Sequence, residues 1–396
     1  MFEKINIIGT GTFSEVWFVI DHKYKSEFAM KRLLKSRVID KKCIKEIIKE
    51  RNLLSKINHP FLVNMHFSFQ DNHYLYMILD LMKGGDLRYY YKIYDSENRQ
   101  KFFSENVCNF FVSNLILSLE YIHKNNIVHC DIKPENIVID KKGYFYLTDF
   151  GIALNSTEDD KNKKSNYFAG SLGYISPEII FQEKVNFCAD FFSLGVICYE
   201  MMMGKLPYFG KNLEETKKLI MANQVQIKKF EIPKGWSSEA ADFINKMIQR
   251  KQYKRLGYNN IEEIKNHPWL MNINWKATYL HELKSPFMPD LNRKIFNNIN
   301  SNEKRRDIEE SKHTLERYKM IELNKDFNGY FDEFYYFNKY SMKYNKENDK
   351  FINPHLKYED KDKEFKIIDI ENNNNNKNSR NRINFNSHRY CLTSKI

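Results

Sequence analysis

Two short segments of the chain carry the side chains that phosphoryl transfer needs. The first, HCDIKPEN, contains Asp131, Lys133 and Asn136, and the second, DFG, begins at Asp149, eighteen residues after Asp131. The first segment offers a proton-accepting base, a phosphate-binding cation and a metal ligand, and the second offers another metal ligand. Moving a phosphoryl group depends on positioning and charge neutralisation rather than on covalent help. The grouping of these residue types therefore indicates a phosphoryl-transfer site.

Neither segment is convincing alone, because Asp131 also suits a turn and Asp149 also suits the end of a strand. The segments upstream of them add weight. A glycine-containing turn, IGTGTFSEVW, lies between two strand-like runs, and the strand-like segment FAMK then ends in Lys31. A stretch with apolar residues at helical spacing follows and carries Glu50.

Two further matches lie downstream, in the order that a known family shows. The segment SPE ends in Glu178, and Asp190 follows it. So many matches in the same order are improbable by chance. With these motifs the chain resembles a eukaryotic protein kinase over roughly residues 1 to 270.

The resemblance implies an α+β fold of the bilobal protein kinase type. A small β-rich N-lobe with one key helix is expected over residues 1–79, and a larger helical C-lobe over residues 80–270. A C-terminal tail of the AGC type, with a hydrophobic motif, is expected over residues 271–338. The polar, asparagine-rich stretch 339–396 cannot bury enough apolar surface to offset the entropy of ordering, so we expect disorder there.

The resemblance implies that residues 77–82 connect the lobes and hold the adenine edge through their backbone. Local patterns place two further features. Ser104 has the residue type and position of a helix N-cap. The stretch 191–203 is apolar nearly all round, which predicts a helix buried at the centre of a domain.

The resemblance also implies ATP and Mg²⁺ as cofactors. Lys31 should contact the α- and β-phosphates and be held by Glu50, for which Glu46 is the competing partner. Asn136 and Asp149 should hold Mg²⁺. The residues expected to bind the nucleotide are Ile8, Gly9, Gly11, Val16, Ala29, Lys31, Leu79, Met82, Val138 and Asp149. The apolar members of this set also suit ordinary core positions.

The remaining site residues receive their roles from the same resemblance. Asp131 should accept the proton of the substrate hydroxyl, and Lys133 should steady the γ-phosphate. A lysine at this position resembles the serine/threonine kinases rather than the tyrosine kinases. Glu178 should form a buried ion pair with Arg255, and Asp190 should hold the backbone of the catalytic loop.

Three acidic residues suggest a preference among protein substrates. Asp86, Glu135 and Glu200 match carboxylates that read basic residues before the acceptor in kinases resembling the cyclic-AMP-dependent type. Any one of them also suits a solvated surface position. Together they favour an enzyme that prefers basic residues upstream of the phosphorylated Ser or Thr.

The sequence departs from the family where phosphorylation usually activates the enzyme. The arginine that precedes the catalytic aspartate in most regulated kinases is Cys130 here. Related kinases have cationic residues at two further positions, which are Glu46 and Leu154 in this chain. The residue at the position of the phosphate acceptor is Tyr167. Charge-assisted hydrogen bonds worth about 1.5–3 kcal/mol each cannot form with these residues. We therefore predict activity without activation-loop phosphorylation, with the loop held by aromatic packing through Tyr167 and Phe168.

Two segments after the expected C-lobe resemble the AGC tail. Residues 281–289 read as an extended segment, and FDEFYY at 331–336 matches the hydrophobic motif. Phe331 and Phe334 could fill a groove beside the Glu50 helix, or the segment could instead be a sticky tail that binds a partner. The tail and the loop most resemble cyclic-AMP-dependent-like kinases of protists. The GTFSEV turn also resembles calcium/calmodulin-type kinases.

Composition limits the other classes of function. The formal net charge is +12, but the lysines are spread along the chain and no nucleic-acid module is apparent, so we expect no nucleic-acid partner. The chain has no run of about 18 apolar residues, so we expect no membrane span. Six scattered cysteines indicate reduced thiols, and we expect a cytoplasmic protein, with a nuclear or ciliary pool left open.

The sequence therefore predicts a serine/threonine protein kinase that acts on protein substrates as a monomeric catalytic unit, with no regulatory partner identifiable. The alternative is a pseudokinase scaffold that binds ATP or partners without turnover. The presence of Lys31, Glu50, Asp131, Lys133 and the metal ligands argues against it. Nothing in the sequence visibly lowers the pKa of Cys130, so a redox switch is disfavoured.

Overall fold

The computed structural model describes residues 2–11, 14–22, 25–96, 103–155, 173–291, 312–323, 327, 329–338, 344–345 and 350–351. The chain divides into two units, residues 1–341 and residues 342–396. In the second unit the short strands Tyr344–Asn345 and Lys350–Phe351 pair antiparallel. The predicted disorder of residues 339–396 otherwise lies outside the described residues.

An antiparallel sheet forms the N-terminal lobe. Its strands are β1 (Phe2–Thr10), β2 (Ser14–Asp21), β3 (Glu27–Leu34), β4 (Met65–Gln70) and β5 (Tyr74–Leu79). They follow the order β1-β2-β3-β5-β4. Lys31 pairs with Val16 of β2 across the ladder, so the two side chains lie on one face of the sheet. This register directs the lysine to the face that carries apolar Val16.

Two helices follow β3, where the sequence predicted one. Helix α1 (Lys35–Asp40) continues directly from the strand, and helix α2 (Ile44–Leu54) comes after it. Six residues are too few for an apolar period to be recognisable, which is why α1 was missed. In α2 the buried residues Ile47, Glu50 and Leu54 recur at helical spacing. The carboxylate of Glu50 therefore lies on the buried face of the helix.

The connection between the lobes begins later than predicted, because residues 77–79 still belong to β5. Asp80 then fixes the start of the connection. Its carboxylate accepts hydrogen bonds from the backbone and side-chain nitrogens of Asn64, each at 3.0 Å, and lies 2.8 Å from Nε2 of His66. The chain therefore leaves the sheet at a fixed point.

The C-terminal lobe is mostly helical. Its helices are α3 (Leu87–Ser96), α4 (Glu105–Lys124), α5 (Pro177–Ile180), α6 (Cys188–Met203), α7 (Leu213–Ala222), α8 (Ser238–Met247), α9 (Glu262–Lys265) and α10 (Trp275–Tyr279). Its short strands are β6 (Gly85–Asp86), β7 (Ile127–Val128), β8 (Ile137–Ile139), β9 (Phe145–Leu147) and β10 (Leu154–Asn155). They form a β6-β8-β9 sheet and a β7-β10 pair. The predicted bilobal α+β architecture is confirmed.

Two helices at the centre of this lobe match the local predictions. Ser104 caps α4 by accepting a hydrogen bond from the backbone nitrogen of Val107 at 3.4 Å. Helix α6 is buried nearly all round and ends at Gly204, whose φ of +65° suits glycine. None of the helices in the described part of the chain is both long and apolar enough to cross a membrane.

A buried ion pair joins α5 to the segment after α8. The guanidinium nitrogens of Arg255 donate to both carboxylate oxygens of Glu178, at 2.6 and 3.0 Å. One of them also donates to the carbonyl of Cys188 at 2.6 Å. The predicted pair is therefore present, and its charges are paired and hydrogen-bonded, as burial requires.

The segment 281–289 is non-helical, as predicted, and it packs against the C-terminal lobe. The hydroxyl of Ser285 donates to the carbonyl of Gly143 at 2.9 Å. Gly143 has a φ of +86°, and a Cβ there would lie 1.7 Å from the carbonyl oxygen of Phe287. Only glycine allows this close approach. The buried ring of Phe287 packs edge-on against Tyr90.

Two later segments of the tail, within residues 312–338, lie against the N-terminal lobe. Helix α11 (Lys312–Glu322) contacts α1, where Arg317 lies 2.6 Å from Asp40. A 3₁₀ turn (Gly329–Phe334) then leads into strand β11 (Tyr336–Phe337), which pairs with β4 at the edge of the sheet.

The aromatic motif of this tail fills the groove beside α2. Phe331 and Phe334 are fully buried. The carbonyl of Phe334 accepts a hydrogen bond from the hydroxyl of Ser68 at 2.6 Å, and that of Phe331 accepts one from Gln70 at 2.8 Å. Of the two alternatives left open by the sequence, docking within the same chain is the one that the structure shows.

We expect Arg255→Met to lower the free energy of unfolding by about 3–5 kcal/mol, because it leaves Glu178 buried without its cation. Urea denaturation measures the loss. Lys246→Met, which breaks the exposed Lys246–Asp242 pair, is the matched control and should cost less than about 1 kcal/mol. Equal losses for the two variants would contradict a buried, tightly coupled pair.

Candidate active site

A cleft of about 400 Å³ lies between the sheet and the C-terminal lobe. This volume suits a small organic ligand. All the residues predicted to bind the nucleotide line the cleft, namely Ile8, Gly9, Gly11, Val16, Ala29, Lys31, Leu79, Met82, Val138 and Asp149. Glu50 and Asn136 line it as well, whereas Asp131 and Lys133 are not part of its lining.

Lys31 brings two carboxylates together in the cleft. Its Nζ lies 2.6 Å from Oε1 of Glu50 and 3.9 Å from Oδ1 of Asp149. The competing residue, Glu46, is exposed. Burial alone would lower the pKa of Lys31, but the Glu50 and Asp149 carboxylates raise it. The Lys31 ammonium in turn lowers the pKa of Asp149 below its ordinary value. The lysine and the aspartate are therefore both charged at neutral pH.

The loop between β7 and β8 gathers three further predicted residues. Lys133 Nζ donates to Oδ2 of Asp131 at 2.7 Å, and Asn136 Nδ2 donates to the same oxygen at 2.9 Å. Asn136 Nδ2 also donates to the backbone carbonyl of Asp131 at 2.8 Å. The carboxylate orientation is therefore fixed from two sides.

The residues predicted to hold Mg²⁺ fit that ion chemically. Mg²⁺ prefers oxygen ligands and is commonly bound through one or two carboxylates together with substrate phosphates. The amide nitrogen of Asn136 donates hydrogen bonds to Asp131. The amide oxygen of Asn136 therefore points away from Asp131 and can bind another partner. Asp149 contributes a carboxylate to the same cleft.

The HCDIKPEN and DFG segments each contain a residue with strained backbone. Cys130 and Asp149 each have a φ of +65°, a conformation that residues with a Cβ seldom adopt. The buried carboxylate of Asp190 holds the first of these positions, because it accepts hydrogen bonds at 2.8 Å from the backbone nitrogens of His129 and Cys130. Its Oδ2 also lies 2.8 Å from Nε2 of His123.

His129 joins the two segments directly. Its Nδ1 accepts a hydrogen bond from the backbone nitrogen of Asp131 at 3.3 Å, so Nε2 carries the proton and donates to the carbonyl of Thr148 at 3.1 Å. Its ring packs edge-on against Phe150, with 4.9 Å between the ring centroids. The histidine thus couples the position of Asp131 to that of the DFG segment.

Cys130, which stands where most regulated kinases have an arginine, carries a thiol of low reactivity. Burial raises the pKa of Cys130 well above its ordinary value, and the charge of Asp190 raises it further. A thiol that stays protonated is a poor nucleophile, which disfavours a redox switch at this position. The predicted loop residues Tyr167 and Phe168 lie outside the described residues.

The three acidic residues lie beside a cation that sequence analysis missed. Asp86 and Glu135 line the cleft, while Glu200 extends from α6. Arg88 of α3 contacts two of them, with 2.9 Å between its Nε and Oε1 of Glu135 and 3.4 Å between its Nη1 and Oε1 of Glu200. The only signal in the sequence was a cation two residues after Asp86.

Several residues of the cleft lining itself were also missed. Leu54, Val63, Tyr89 and Thr148 lie on four different segments, and their types resemble ordinary core or surface residues. Thr148 offered one usable signal, since it directly precedes Asp149. The other three are recognisable only after the segments have been brought together in space.

The chain matches known proteins along most of its length. A family model described as the protein kinase domain matches residues 2–270. A probable serine/threonine-protein kinase of Dictyostelium discoideum is 37% identical over 284 residues. The serine/threonine-protein kinase sgk-1 of Caenorhabditis elegans is 34% identical over 290 residues, and ribosomal protein S6 kinase alpha-2 of Homo sapiens is 34% identical over 297 residues.

These alignments cover 72%, 73% and 74% of this chain, in the same order. They cover a smaller share of the relatives, at 59%, 60% and 39% of their lengths. The chain therefore spans from about two fifths to three fifths of the proteins that it matches.

Lys31→Met should raise the pKa of Asp149, because the Lys31 ammonium is the main cause of its lowered value. Loss of a neighbouring opposite charge makes the charged carboxylate less favourable, which is the reason for the rise. Carboxyl-carbon NMR titration of the free protein measures it. Lys133→Met is the matched control and should produce a smaller rise. A larger rise in the control would contradict the electrostatic link between Lys31 and Asp149.

Proposed function

The chain belongs to the protein kinase family, and we propose that it is a serine/threonine kinase that transfers the γ-phosphate of ATP to Ser and Thr hydroxyls of protein substrates. The observation that carries this proposal is the Lys31 cluster. Its ammonium group lies 2.6 Å from Glu50 and 3.9 Å from Asp149 in a cleft that Asn136 also lines. The similarity to S6 kinase alpha-2 and sgk-1, together with the docked tail, favours the AGC group over the calcium/calmodulin-type alternative.

Within this proposal the upper part of the cleft binds the nucleotide. The side chains of Ile8, Val16, Ala29 and Leu79 line the cleft and would provide an apolar surface for the adenine ring. Gly9 and Gly11 allow the backbone to approach phosphate groups, to which amide N–H groups can donate hydrogen bonds. Ser14 replaces the third glycine of the family pattern, and it also lines the cleft.

Charge neutralisation and proton transfer would use the charged and polar residues of the cleft and of the adjoining HCDIKPEN segment. Lys31 neutralises phosphate charge, and Glu50 keeps its ammonium group in position. Asn136 and Asp149 would hold Mg²⁺, and the bound ion would supply charge neutralisation at the phosphate oxygens. Lys133 and Asn136 both bind Oδ2 of Asp131, so a substrate hydroxyl would approach the other carboxylate oxygen and give its proton there.

We further propose that the protein substrates carry basic residues upstream of the acceptor. The support is the acidic character of the cleft rim at Asp86 and Glu135, with Glu200 nearby. Burial raises the pKa of Asp86 and of Glu200 above their ordinary values, and the nearby charge of Glu135 raises both further. A cytoplasmic location and action as a monomeric catalytic unit complete the proposal.

The docked tail suggests a way to control the site. Phe331 and Phe334 pack beside α2, the helix that carries Glu50. The ring of Phe334 also lies 5.9 Å from the guanidinium of Arg51 on that helix. Occupation of this groove would stabilise the position in which Glu50 binds Lys31.

Asp131→Asn should lower kcat by about 10²–10⁴-fold, because the amide cannot accept the substrate proton. A coupled assay with ATP, Mg²⁺ and an arginine-containing peptide measures the rate. Glu183→Gln, which changes an exposed carboxylate outside the cleft lining, should retain the parent rate. Equal rates in the Asp131→Asn variant and the parent would point to a contaminating enzyme or another mechanism.

Truncation before residue 327 should lower kcat/KM by about 5- to 150-fold, the range typical of coupling between two sites. Phe334→Ala should act in the same direction, since it removes a fully buried anchor. Tyr335→Ala is the control, because that side chain is 60% exposed. Unchanged activity after truncation would show that tail docking does not support the site.

A further inference from the structure

Arg88 lies against two of the carboxylates that we propose read basic residues of the substrate. It extends from the first turn of α3 to Glu135, which directly precedes Asn136, and to Glu200 on α6. Its Nη2 also contacts the hydroxyl of Tyr174 at 2.5 Å, and that hydroxyl donates to Glu200. One guanidinium of the protein itself therefore bridges two carboxylates and a phenol.

Several contacts hold this guanidinium in place. It lies 5.5 Å from the ring centroid of Tyr91 and 5.4 Å from that of Tyr174, within the range of cation–π attraction. Burial alone would lower the pKa of Arg88, but Tyr174, Glu135 and Glu200 raise it. Arg88 is a permanently charged group with multiple partners, unlike a loosely held surface arginine.

Asp86 differs from the other two carboxylates. Its Oδ1 accepts a hydrogen bond from the backbone nitrogen of Tyr89 at 2.8 Å, and it lines the cleft. None of its described contacts is an ion pair with Arg88. The rim therefore combines one carboxylate bonded to a backbone amide with two carboxylates already bonded to an internal arginine.

We propose that Arg88 is a specificity-determining residue that fills one of two basic-residue subsites from within the chain. The inference rests on the proposed kinase activity and sharpens its substrate class. Asp86 binds a single basic residue upstream of the acceptor, while Arg88 already pairs with the carboxylates of Glu135 and Glu200. A second substrate arginine would have to displace Arg88 or lie beside it, and like charges at contact distance repel. The enzyme thus selects substrates with one upstream arginine rather than two.

The test compares full-length parent protein with Arg88→Met on a set of peptides. Each peptide has one Ser acceptor and carries zero, one or two arginines at scanned upstream positions, and kcat/KM is measured for every peptide. In the parent, one arginine should raise kcat/KM, and a second should add less than about twofold at any position. In Arg88→Met, the second arginine should add on the order of tenfold at one position, as expected for new hydrogen bonds between charged groups.

Three further variants separate subsite opening from a general change in the protein. Arg88→Lys retains the charge and should keep the parental selectivity, while Arg88→Gln should resemble Arg88→Met and replaces it if the methionine variant does not fold. Adding Glu135→Gln to Arg88→Met should abolish the gain, because it removes one of the carboxylates that the second arginine would contact.

Two results would overturn the inference while the proposed function stands. One is a parent enzyme for which a second arginine already adds tenfold or more, and the other is the same second-arginine effect in the parent and the Arg88 variants. Failure of the parent to phosphorylate any peptide would instead overturn the proposed function, and this inference with it.

Discussion

The ion pair between Lys31 and Glu50 is the interaction on which the rest of the site depends. It joins a strand of the sheet to helix α2, and the same ammonium group lies 3.9 Å from Asp149, which belongs to a segment of the C-terminal lobe. Glu50 is buried and the side chain of Lys31 is only 16% exposed, so each charge is stabilised by the other. A shift of α2 would therefore separate the charges and remove the phosphate-binding cation from the cleft. The tail motif packs beside this helix, with the ring of Phe334 5.9 Å from the guanidinium of Arg51.

The catalytic loop depends on a second constraint, which is a backbone held in an unfavourable conformation. Cys130 and Asp149 both have positive φ angles, and such strain persists only where surrounding contacts enforce it. Asp190 enforces the first through two backbone hydrogen bonds, and His129 links the loop to the DFG segment. These contacts do not involve the missing arginine. The loop geometry is therefore held by groups other than the phosphate-binding cations of the family.

The sequence predicted the fold class and the cleft lining well, because ordered motifs fix which segments must meet. The selection of Glu50 over Glu46 agrees with the structure, since helical spacing puts Glu50 on the buried face of α2 with Ile47 and Leu54. Helix α1 was missed because it is too short to show a period. Arg88 was missed because its contact with Glu200 spans 112 positions along the chain, and only the folded structure brings these side chains together. The tail groove was predicted as one of two alternatives, since aromatic side chains suit a partner's surface as well as their own.

The most direct test of the account is phosphate transfer from γ-labelled ATP to a Ser- and Thr-containing peptide by the full-length protein, with Mg²⁺ and after chelation of the metal. Mass spectrometry of the product identifies the modified residue. The account predicts phosphoserine or phosphothreonine that forms with Mg²⁺ and is lost with the chelator, because the metal-binding oxygens of Asn136 and Asp149 neutralise charge only when the ion is bound. Nucleotide binding with no labelled peptide under either condition would contradict it.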